Sequence, residues 1–218
     1  MNVFRTLLVS AVLAFAPLYA LAETAPVQTY QMLLGQLKGG NTGIDFQALR
    51  YAYSETPEYS PYGSPPTKKQ EYSRAFDAQN WDEALAAANA LLEANYTDME
   101  GHLMCAAAYE KEGDLQQAEF HRAVARGLVK SIADSGDGKS VDTALVVIAV
   151  PEEYQFLALN GFAVSQQALV TGKNGPVDAM TVVDRKTNEG RTFFFNVARV
   201  FAGYGRALGG LRPSAPAP

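Results

Sequence analysis

The chain has 218 residues, 48% of them hydrophobic, and carries 18 Lys and Arg against 23 Asp and Glu for a net charge of −5. Mild acidity, with Lys68-Lys69 as the longest basic cluster, excludes the basic patch of a nucleic-acid binder. The lone Cys105 excludes a disulfide within the chain, and none is needed, because a chain of this size buries about 70% of its unfolded surface.

Residues 1–22 have the pattern of a cleavable signal peptide. Arg5 supplies the positive end, Leu7 to Ala16 an apolar core, Pro17 a break, and Ala20-Leu21-Ala22 the small residues of a cleavage site. Pro17 interrupts a run that would otherwise approach the roughly 20 apolar residues of a membrane span. No cysteine follows the cut to take a lipid, and no twin-arginine pair precedes it. The expected product is exported, periplasmic or secreted, starts near Glu23 and has no membrane span after cleavage.

Residues 23–43 read as a flexible N-terminal segment, holding at most a short helix over 28–37 that Gly39-Gly40-Asn41-Thr42-Gly43 stops. Asp45 is placed to cap a helix running to about Ser54. Thr56 to Pro66 is rich in proline and glycine, which forbids helix; Tyr59 and Tyr62 give this loop something to pack. From 68 to 130 a period emerges. Asn80-Trp81-Asp82-Glu83-Ala84 is echoed by Asp114-Leu115-Gln116-Gln117-Ala118, 34 positions on. That period, with Ala84, Ala118, Ala106 and Tyr109 at packing positions, resembles the tetratricopeptide repeat of paired helices. Helices are expected over 68–78, 81–94, 98–111 and 115–129, within a helical region spanning 44–132.

A sharp loop at 133–140 opens a small α+β region, 133–200. Leu145-Val146-Val147-Ile148-Ala149-Val150 suits a strand buried on both faces, and Pro151-Glu152-Glu153 opens a short helix that Gly161 ends. Strands are expected over 162–170, 176–184 and 192–197, with a hairpin turn at Gly172-Lys173-Asn174-Gly175. Residues 201–218 read as a low-complexity tail. The fold class is α+β: tetratricopeptide-like helical hairpins followed by a small, mostly antiparallel sheet with one short helix.

Familiar catalytic patterns fail on spacing. Gly138-Lys139-Ser140 resembles the end of a phosphate loop, but Ala133 stands where that motif needs glycine, and the loop follows a helix rather than a strand. A calcium loop lacks its alternating acids. His102 and Cys105 share a helix face and His121 lies one helix on, but they occupy packing positions and no fourth ligand is evident; no metal and no cofactor are expected. Glu152 and Glu153 read as helix-start charges. Asn95-Tyr96-Thr97 is a glycosylation sequon. Stacked helix pairs form a concave surface suited to a protein or peptide partner, and tyrosines favour binding surfaces. Tyr51, Tyr53, Tyr59, Tyr62 and Trp81 are therefore the candidate contacts of a non-enzymatic interaction module, against the alternative that they pack the N-terminal helix onto the repeats. A second reading is an enzyme with an unfamiliar site at Asp134, Asp137, Lys139 and Ser140.

Several stretches, taken in order, resemble the bacterial domain-of-unknown-function family numbered 4919. They are Asp45-Phe46-Gln47-Ala48-Leu49-Arg50-Tyr51-Ala52-Tyr53, Pro57-Glu58-Tyr59-Ser60-Pro61-Tyr62, Ser135-Gly136-Asp137-Gly138-Lys139-Ser140 with Thr143-Ala144, Glu152-Glu153-Tyr154 and Phe194-Phe195-Asn196-Val197. Phe194 stands where the family usually has tyrosine. The resemblance implies an exported bacterial protein with a helical half and a small mixed half. It implies no reaction and no catalytic residue.

Overall fold

A computed structural model describes residues 24–64 and 66–209, with backbone alone at 207–209. The expected signal peptide and the last part of the expected tail lie outside the described residues. In chain order the elements are α1 Ala25–Lys38, α2 Phe46–Tyr53, α3 Pro66–Asp77, α4 Trp81–Ala94, α5 Met99–Glu112, α6 Leu115–Ala133, β1 Leu145–Val146, α7 Val150–Leu159, β2 Phe162–Gly172, β3 Gly175–Asp184, β4 Gly190–Asn196 and α8 Ala198–Gly209. The fold class is α+β.

Helix starts are set by side chains. Asp45 accepts the Ala48 N–H at 2.9 Å, Asn80 that of Glu83 at 3.3 Å, and Asp114 that of Gln117 at 3.0 Å, each relieving an unpaired donor of the first turn. Asn80 and Asp114 begin the second helices of two successive hairpins, α3–α4 and α5–α6. Fully buried Ala84 and Ala118 allow close helix approach in each. α1 begins earlier than the 28–37 helix expected within 23–43. Pro26 sits in its first turn, where a missing N–H is harmless, and Tyr30, Leu33 and Leu37 make the stripe that packs on α2. At the other end, residues 201–209, expected as tail, continue α8.

The sheet has strand order β1-β4-β3-β2, with β1 parallel to β4 and the other pairs antiparallel. A bulge between Val164 and Gln166 shifts the β2 register. The strand expected over 145–150 is only Leu145–Val146. Beyond Val147 the ladder is given up, because the Ile148 N–H donates to the Glu152 carboxylate at 2.8 Å and α7 starts at Val150.

Two cores result. The larger joins α1, α2, α6, α7 and the sheet through Leu37, Leu49, Leu128, Leu157, Met180 and Phe195, so the packing crosses the expected boundary at 132/133. The smaller lies among α3, α4 and α5 around Tyr72, Ala88 and Cys105. Among the described residues, no helix is long and apolar enough to cross a membrane.

Candidate functional site

The first turn of α7 is where the structure departs furthest from ordinary surface chemistry. Glu152 and Glu153, expected as helix-start charges, are both buried. Glu152 meets the fully buried Arg50 of α2 across 102 positions of sequence, in a two-pronged pair: Nε to Oε1 at 2.8 Å and Nη2 to Oε2 at 2.6 Å. Arg50 also donates to Ser131 Oγ at 3.1 Å and the Val146 carbonyl at 3.0 Å. Thus one guanidinium fastens α2, α6, β1 and α7. Such a pair is strongly directional but gives little net stability relative to apolar packing.

Glu153 has no such partner. Neither of its buried carboxyl oxygens meets a hydrogen-bond donor, and the group facing it is another carboxyl, Asp178 of β3. Burial first, then the charge of the facing Asp178 and that of Glu152, hold Glu153 up to about 9. At neutral pH it therefore keeps its proton, which is what lets two buried carboxyls face each other. Asp178 Oδ2 accepts from Gln167 Nε2 of β2 at 2.7 Å, and Gln167 accepts in turn from the Tyr154 hydroxyl. Tyr204 of α8 also feels both carboxyls. Its ring lies 4.8 Å from that of Tyr62, which is 71% exposed. Glu153 is thus a buried neutral acid facing a second carboxyl at the edge of an aromatic surface, the kind of perturbed group that marks a candidate site.

The sequence-predicted contacts are dispersed. Tyr53 is buried, its hydroxyl pushed up to about 12 by burial. Tyr59 donates to the Ile148 carbonyl. Tyr51 is half-buried beneath the Arg199 guanidinium, 4.1 Å from its ring centre, and Trp81 packs edge-on to Phe76 at 5.2 Å. Only Tyr62 of the five is largely exposed.

The Asp134–Ser140 loop is tied up in itself. Asp137 accepts from the Lys139 N–H and the Thr143 hydroxyl, Ser140 bonds Thr143, and Asp134 pairs with Lys130. Only Asp134 of the four lines the adjoining open depression between residues 42–47 and α6. The sequon is closed as well: Asn95 is buried and its amide oxygen accepts from Thr97.

His102 and His121 meet, Nδ1 to Nδ1, at 2.9 Å. The Tyr96 carbonyl can only accept, so His102 Nε2 donates to it at 3.0 Å; His102 Nδ1 must then accept from His121 Nδ1–H. Burial lowers the two rings to about 3 and about 4. Cys105 does not join them: its sulfur lies 3.8 Å from Asn89, and burial pushes the thiol up to about 12. Among the described residues no group of three His, Cys, Asp or Glu could hold a metal.

A second feature is extended. Three neighbouring depressions share walls. Glu100 and Met104 of α5 face Lys69, Ser73 and Arg74 of α3. Glu100 and Leu103 then face Tyr154, Gln155 and Leu159 of α7, and Leu103 and Leu159 face Arg126, Val129 and Ala133 of α6. Together they form one open trough across both hairpins, whose middle is apolar. Tyr154 belongs to both features: it stands in the trough wall, and its hydroxyl starts the chain through Gln167 to the carboxyl pair.

Fold and site together define an α+β protein in which stacked helical hairpins are fastened to a small sheet by a buried ion pair, next to a buried Glu153 carboxyl that faces Asp178. The chain belongs to the family described as a domain of unknown function, DUF4919, whose model matches residues 25–206. No curated protein and no solved structure matches it.

Proposed function

We propose that this is an exported, non-enzymatic module that binds a protein or peptide partner in the trough across α3, α5 and α7. One observation carries the reading: Leu159 and Tyr154 stand 47% and 41% exposed in the same open trough. Apolar side chains concentrated in a concavity favour binding, whereas single scattered ones need no explanation. Export is supported by the leader pattern of residues 1–22. The non-enzymatic reading is supported by the Asp134–Ser140 loop, whose Asp137 and Ser140 side chains bond within the loop's own turn.

A photo-crosslinking residue at Leu159, compared with one at the exposed Glu93 of α4 outside the trough, tests the reading in cells. Discrete adducts are expected from position 159 alone, and Leu159→Glu should remove binding without lowering the melting temperature. Equal labelling from both positions would sink the trough as the contact surface. Recovery of the intact leader on cytoplasmic protein would remove export.

A further inference from the structure

The edge strand β2 is unusual for what it lacks. The strand order leaves it outermost, and among the described residues no strand pairs with its outer side. It is 11 residues long, Phe162–Gly172, and contains neither a charge nor a proline. Ser165 to Leu169 are five consecutive exposed residues, so both faces of the sheet are open to water there; Leu169 is 57% exposed. Soluble proteins usually guard a long edge with lysine, proline or shortness. The opposite edge, β1, is guarded by shortness, with two residues. β2 carries only the bulge at Ser165.

We infer that β2 is a self-association edge: a second copy of this chain pairs its own β2 antiparallel to it about a two-fold axis, joining two four-stranded sheets into one. Antiparallel pairing of identical strands is self-complementary under such an axis. In every register each β2 residue then meets an uncharged one, so no like charges are opposed. A peptide added to a sheet edge draws its specificity from pockets beside the strand. Here both faces are open along the exposed stretch, which favours a partner that brings its own sheet. The pairing would satisfy the outward backbone groups of β2 and cover Leu169.

Analytical ultracentrifugation of the leaderless chain (residues 23–218) across a concentration series tests this, with Ala168→Lys and Gln166→Lys as edge variants and Ala94→Lys on α4 as control. All three positions are exposed, and circular dichroism and melting temperature verify that each variant folds. The wild type and the α4 variant should dimerise alike, and each edge lysine should weaken the dimer by about tenfold or more, since a charge on the edge is the device natural edges use. A wild type that stays monomeric at about 100 µM, where any dimer with a Kd in the tens of micromolar would show, overturns the inference. So does a dimer that both edge lysines leave intact. The readout is independent of the trough, so either reading can fail alone.

Discussion

Glu153→Gln isolates the carboxyl pair. The folded-state value of Glu153 is raised from 4.5 to about 9, chiefly by burial and then by Asp178. The sign follows from linkage. Its contribution to stability is fully present below pH 4.5, declines as pH rises because the folded state must keep a proton the unfolded chain has released, and is lost by about pH 9. Each unit traversed is worth ~1.4 kcal/mol. At about pH 7.5 the penalty reaches on the order of 2–4 kcal/mol. Glutamine keeps the shape, does not titrate and offers Asp178 an N–H donor at every pH. Urea unfolding of both proteins from about pH 4.5 to about pH 9 should give curves that nearly coincide at the acid end and separate with rising pH, the variant being more stable by that amount near neutrality. Parallel curves, or a variant less stable at pH 7.5, would show that Glu153 is ionised in the fold and refute the reasoning.

Arg50→Ala should cost about 3–5 kcal/mol in chemical denaturation, because it strands the buried Glu152 charge; Arg50→Met with Glu152→Leu should recover most of that loss, and failure of the double variant to recover would show that the pair does more than satisfy itself. The histidine pair acts in the opposite direction to Glu153. Both rings are lowered from 6.5, so their contribution is complete above pH 6.5 and is lost as pH falls toward 4 and 3. At about pH 5 the loss is on the order of 2 kcal/mol per ring. A His102→Gln, His121→Gln double variant should flatten the stability–pH slope over that window, and an unchanged slope would contradict the neutral pair.

Much of the fold is legible locally. The helix starts at Asp45, Asn80 and Asp114 are caps, and the 34-residue spacing fixes the hairpins. The β2–β3 hairpin is announced by its turn at 172–175. The run 145–150 misleads because β-branched residues fit any buried segment, and one long-range demand, Glu152 taking the Ile148 N–H, ends the strand. The site was half visible. Arg50 shares the stripe of Phe46, Leu49 and Tyr53 on α2, Glu153 precedes Phe156 and Leu157 at helical spacing, and Asp178 alternates with Met180 and Val182 along β3. Three charges on apolar faces are a sequence signal of buried electrostatics. Which charge meets which is set by tertiary packing, and Arg50 finds its anion 102 positions away.

The α7 start concentrates these interactions for a geometric reason. Successive helical residues turn by about 100°, so residues 151–154 face four different neighbours. Pro151 lies under Gly63 of the proline-rich loop, where any Cβ would come within 2.7 Å of its ring. Glu152 takes Arg50, Glu153 faces Asp178, and Tyr154 reaches Gln167 from the trough wall. The placement of Arg50 then accounts for the raised Glu153. Arg50 commits Nε and Nη2 to Glu152 and Nη1 to Ser131, leaving no cation for the second pair of carboxyls. Of Glu152, Glu153 and Asp178, only Glu153 is both fully buried and without a donor, so it is the one held neutral. The ion pair and the carboxyl pair are therefore one arrangement: the same choice of partner that fastens the helices to the sheet leaves a proton stored beside the trough.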